Sequence, residues 1–91
     1  MSEQTDDKAI EERVLEILVE MFELDRAALR PQASLRGTLR LDSADLVDLV
    51  TRLETDFGLS PELDGYRNVN TVKELVAFVA VEAKSARAAK D

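Results

Sequence analysis

Apolar and polar positions recur with helical spacing in three stretches of the chain. From about Asp6 to Phe22, the residues Ile10, Val14, Ile17, Leu18 and Met21 fall on one stripe. Glu11, Glu12, Arg13, Glu16 and Glu20 cover the opposite side, and Asp6 and Asp7 suit the positive end of the helix dipole. From Ser43 to about Phe57, Leu46, Leu49, Val50, Leu53 and Phe57 share a face. Asp42 or Ser43 serves as N-cap there, and Gly58 stands where a helix end takes a left-handed residue. The third stretch runs from Thr71 into the eighties on Val72, Leu75, Val76 and Val79, extended by Ala80 and Ala83. Thr71 and Glu74 have the spacing of a capping box.

The connectors carry no such period. Glu23 to Leu41 holds Pro31, Ser34 and Gly37, and an irregular stretch of that length in a small domain is often functional. Leu29 and Leu35 are placed to pin it to the core. A second connector, Gly58 to Asn70, contains Pro61-Glu62-Leu63-Asp64, which can open one short helical turn because proline is accepted at the first helical position. The stretch from Lys84 to Asp91 is rich in Ala, Lys and Arg and reads as a frayed tail. No strand pattern or internal repeat competes. The pattern predicts an all-α fold: a small bundle of three main helices plus one short helix, with a long loop between the first and second. It predicts one domain over residues 1–91, with its core at about 6–83.

Composition narrows the chemistry. Hydrophobic residues make up 45 %, too many for a disordered acidic tail. With 12 basic and 19 acidic side chains, the net charge of −7 argues against nucleic acid and favours partners with basic surfaces. The absence of Cys and His removes thiolate chemistry, disulfides, the usual zinc sites and any histidine-based triad. No run approaches the ~20 apolar residues that span a bilayer, and Met1 to Asp7 lacks the pattern of a signal peptide, so the chain reads as cytoplasmic and soluble. The long loop inverts the overall charge: Arg26, Arg30, Arg36 and Arg40 are its basic residues, and no acid lies between Arg26 and Leu41.

Few residues stand out as chemical groups. Asp42, Asp45 and Asp48 recur every three residues on one helical side. They lack the alternating ligands, central Gly and terminal Glu of a calcium loop, so a solvated acidic face is the simpler reading. Ser43 opens the second helix directly after the long loop. A hydroxyl there is exposed, and an anion esterified to it meets the positive end of the dipole, which suits a phosphodiester attachment. The plainer alternative is a capping serine.

Leu41-Asp42-Ser43-Ala44-Asp45-Leu46-Val47-Asp48-Leu49-Val50 resembles the signature of the acyl carrier proteins, in which an Asp-Ser pair opens the second helix. The resemblance extends to Glu11-Glu12-Arg13-Val14 with Ile17 in the first helix, and to Leu29 and Ala33-Ser34-Leu35 in the loop. Leu53-Glu54 through Phe57-Gly58 and Val69-Asn70-Thr71-Val72 continue it, in register, over about Glu11 to Val79.

What the resemblance implies is specific. Such proteins are carriers, not enzymes. A phosphopantetheinyl transferase uses coenzyme A and magnesium to attach 4′-phosphopantetheine to the motif serine, here Ser43 beside Asp42. The arm's thiol then holds acyl groups as thioesters, which supplies the sulfur this chain lacks. The outer face of the second helix, here Ala44, Asp45, Val47, Asp48 and Thr51, is implied to dock on basic and apolar patches of acyl-transferring, condensing or acyl-activating enzymes. Asp42, Asp45, Asp48, Glu54 and Asp56 make that helix acidic, offset only by Arg52, and either steer partners or keep the domain soluble. Leu46, Val50, Leu53, Phe57, Val69, Val72 and Val76 are either ordinary core or the lining of an acyl-chain cavity. The expected state is a monomer.

The chain departs from the family pattern beside the motif. Arg40-Leu41 replaces Gly and an aliphatic before the Asp-Ser pair, and Ala44 replaces Leu or Met after it. These departures suggest a carrier dedicated to a specialised fatty-acid, lipid or polyketide pathway. Arg36 or Arg40 is placed to meet the arm's phosphate or a partner, and pairing with nearby acids is the blander account. An aminoacyl or peptidyl carrier, and an unmodified helical adaptor, remain as alternative functions.

Overall fold

A computed structural model describes residues 7–59 and 65–90. Three helices form the bundle: α1 (Asp7–Phe22), α2 (Ser43–Phe57) and α3 (Val72–Lys90). Two single 3₁₀ turns, Arg26–Ala28 and Gly65–Asn68, punctuate the connectors. The turn expected at Pro61-Glu62-Leu63-Asp64 lies outside the described residues, as does Asp6. Helical backbone continues to Lys90, whereas the last buried residue described on α3 is Ala83.

The core forms where the three apolar stripes meet. Val14, Ile17 and Leu18 of α1 are fully buried against Leu49 and Leu53 of α2 and Leu75 and Val79 of α3. Leu15 joins them, one residue beyond the stripe read from spacing. Burying each such side chain contributes roughly 1.5–3 kcal/mol, so a dozen of them outweigh any surface charge pair. Gly58 ends α2 with φ 67°, and its N–H donates to the Glu54 carbonyl, as the C-terminal signal required.

The long loop is stitched to the start of α3 rather than draped over the bundle. Leu35 N–H donates to the Asn70 carbonyl at 2.8 Å. In return Val72 N–H donates to Ala33 at 3.0 Å and Lys73 N–H to Pro31 at 2.8 Å. Ser34 and Thr71 form an isolated antiparallel bridge. Two N–H groups that α3 leaves without an intrahelical partner are thus satisfied by loop carbonyls. Thr71 and Glu74 add the predicted capping box: Thr71 Oγ1 accepts from Glu74 N–H at 3.1 Å, and Glu74 Oε1 accepts from Thr71 N–H at 3.3 Å. Leu29, Leu35, Leu39 and Leu41 are buried, so the loop enters α2 along one fixed path.

Candidate functional site

The start of α2 resolves which residue caps it. Asp42 has extended backbone, and its Oδ1 accepts from Asp45 N–H at 2.9 Å. Asp45 Oδ2 accepts from Asp42 N–H at 3.1 Å, which completes a reciprocal box. Such a cap contributes about 1 kcal/mol. Ser43 is therefore the first helical residue and not the cap. It is exposed, and its hydroxyl makes no hydrogen bond among the described residues.

The loop before it is ordered by Ser34. Its hydroxyl accepts from Gly37 N–H at 2.9 Å, and its carbonyl accepts from Thr38 and Leu39 N–H, each at 3.0 Å. Leu41 N–H closes the turn on the Leu35 carbonyl at 3.0 Å. Between the buried Leu39 and Leu41, Arg40 is forced to φ 62°, the left-handed region that glycine tolerates and a branched chain resists.

Beside Ser43 lies an open groove of about 540 Å³. Arg36, Tyr66 and Asn70 give it polar lining, and Leu46, Val47 and Val69 give it apolar lining. Nothing in the sequence pattern singles out Tyr66 or Asn70 as groove residues, because the fold alone brings them beside Ser43. Leu46 and Val69 are thus the only two of the seven expected cavity residues lining this groove. Val72 and Val76 line a different groove of about 450 Å³ with Leu29, Pro31 and Ala80. Leu53 is sealed in the core, Phe57 packs against it, and Val50 is half-buried. Position along α2 explains the split: Leu46 lies near the open helix start, whereas Leu53 lies two turns on, where α1 and α3 close over it.

The outward face of α2 is as the helical register required. Ala44, Val47, Asp48 and Thr51 are exposed and Asp45 is half-buried. Val47 is 53 % exposed, an apolar point on an acidic surface. Asp56 departs from that acidic face. It turns inward, accepting from Arg13 Nε at 3.0 Å and from Arg52 Nε at 3.3 Å. Arg52 also reaches Glu20 at 3.1 Å, and Arg13 reaches Glu16 at 3.0 Å. Burial pushes the Asp56 carboxyl up, but the hydrogen bonds and charges of Arg13 and then Arg52 outweigh it and hold it below its ordinary value. The bond to Asp56, then that to Glu16, raises Arg13.

The arginines of the loop divide. Arg26 pairs with Glu12 at 2.7 Å. Arg30, Arg36 and Arg40 are exposed and make no side-chain hydrogen bond or ion pair among the described residues. Pairing with nearby acids thus accounts for Arg26 alone.

A family model described as "Phosphopantetheine attachment site" matches residues 12–79. The chain belongs to the acyl carrier protein family. It is 35 % identical over 74 residues to an acyl carrier protein of Rubrobacter xylanophilus, covering 81 % of this chain and 91 % of the relative. An acyl carrier protein of Saccharopolyspora erythraea is 36 % identical over 87 residues, with 92 % of each chain covered. One of Solidesulfovibrio magneticus is 28 % identical over 71 residues, covering 78 % of this chain and 91 % of that protein. The cofactor of the family is phosphopantetheine. The described residues fit such a group: an exposed, unengaged hydroxyl stands at a groove whose polar and apolar lining matches an arm of amides and methyl groups. Among the described residues no acidic cluster is arranged to hold a metal ion, and no helix is long and apolar enough to cross a membrane.

Proposed function

We infer that this acyl carrier protein receives 4′-phosphopantetheine on Ser43 and serves, without catalysis of its own, a specialised fatty-acid, lipid or polyketide pathway in the cytoplasm. The observation that carries this reading is the division of labour at α2: Asp42 and Asp45 cap the helix, leaving the Ser43 hydroxyl exposed and unengaged. When bound, the arm supplies the thiol that holds acyl groups as thioesters. Ser43 needs no internal base, because the phosphopantetheinyl transferase brings its own. Asp42, Asp45 and Asp48 present negative charge around the serine, and Ala44, Val47 and Thr51 present a smaller, flatter apolar contact than Leu or Met beside the serine provides. That combination favours transient docking on basic patches of acyl-transferring, condensing or acyl-activating enzymes.

The test is intact-mass spectrometry after incubation with coenzyme A and a broad-specificity transferase. A gain of ~340 Da, absent in Ser43→Ala, is expected. No gain with any competent transferase would falsify the assignment.

A further inference from the structure

The groove beside Ser43 contains a cation that no described carboxylate engages. Arg13, Arg26 and Arg52 each reach at least one carboxylate within 3.3 Å. Arg36 reaches none among the described residues, although the chain has an acidic excess, and its side chain lines the groove that Ser43 also lines. Arg40 is equally unpaired but is not among the groove's lining residues. Ser34 fixes the position of Arg36 through three bonds to Gly37, Thr38 and Leu39, with the buried Leu35 immediately before it.

We propose that Arg36 is a positioning residue that pairs with the phosphodiester of the arm on Ser43 and folds the arm into the groove. This rests on the carrier reading above. A phosphodiester keeps one negative charge at neutral pH, and on Ser43 it stands near the carboxylates of Asp42 and Asp45. Their repulsion turns it toward the groove, which neither carboxylate lines and which holds a guanidinium. Guanidinium is suited to the task, since its planar donors match phosphate oxygens. Beyond the phosphate, Asn70 offers a polar side chain to the arm's amides, and Leu46 and Val69 offer apolar surface to its methyl groups. The resting arm therefore lies along the domain, and a docking partner releases it by competing for the phosphate or by screening the pair.

The experiment compares apo and modified forms of the full chain, as wild type, R36Q and R40Q. Intact mass first establishes that each carries the arm. Attachment is expected to raise Tm by about 2–4 °C at low salt in wild type and R40Q, and by much less in R36Q. The gain is expected to shrink in about 0.5 M NaCl. The ³¹P resonance of the phosphodiester is expected to shift in R36Q and stay in place in R40Q. Equal gains in wild type and R36Q with an unmoved ³¹P resonance overturn the proposal. An effect confined to R40Q overturns the choice of arginine. A chain that never takes up the arm overturns the carrier reading itself, and the mass measurement separates that failure from the others.

Discussion

The two ends of α2 are built to opposite purposes. At its C-terminal end Leu53, Asp56 and Gly58 are engaged within the molecule. Leu53 is sealed in the core, Asp56 is clamped by Arg13 and Arg52, and Gly58 closes the helix. At its N-terminal end, the backbone is satisfied while the side chains are left available. The capping box occupies Asp42 and Asp45, but the hydroxyl of Ser43, the carboxylate of Asp48 and the guanidinium of Arg36 have no partner among the described residues. The contrast teaches that one helix can be both anchor and presentation surface when stability is loaded onto its far end.

The largest effect is expected from breaking the anchor. Leu53→Ala should lower stability by about 3 kcal/mol in urea unfolding, because a fully buried leucine leaves a cavity. Modification of the surviving folded fraction should be little changed. Asp56→Asn should cost about 1 kcal/mol at neutral pH. Its pH dependence has a definite sign. The folded carboxyl lies below its unfolded value of about 4, so its contribution is present above that value and lost as pH falls through the folded one. Stability curves of wild type and Asp56→Asn should therefore converge in acid; a constant gap down to strong acid would contradict the clamp.

Smaller effects sharpen the presentation end. Asp48→Lys should slow arm transfer by about threefold at low salt, with the circular dichroism spectrum unchanged and the difference vanishing as salt rises. Equal rates at every salt concentration would remove steering from the account. Arg40→Gly should raise stability by about 0.5 kcal/mol in thermal melts, since glycine relieves the left-handed backbone while adding unfolded-state entropy. A loss of stability would mean that the Arg40 side chain holds the loop in a way its exposed position does not reveal.

Much of this was legible in the chain because it is local. Periodicity and capping residues gave α2 its observed bounds, Ser43 to Phe57, and gave α3 its Thr71–Glu74 box. Leu29 and Leu35 are buried and pin the loop to the core, as expected. What escaped depends on tertiary placement. The bonds from Ala33 and Pro31 to α3 join residues about forty apart in sequence, and no local pattern encodes them. Asp56 looked like surface charge until Arg13, on another helix, faced it. The seven apolar residues considered for one cavity divided because spacing along a helix says which side a residue faces, not what covers it.

The assignment of the cap to Asp42 has a consequence for reuse. Had Ser43 itself capped α2, esterifying its hydroxyl would have disturbed a bond that holds the helix start. With the cap one residue earlier, the bonds that hold the helix start do not involve the Ser43 hydroxyl. On the proposed attachment at Ser43, bare, armed and acylated forms share one scaffold, and no refolding step separates one round from the next.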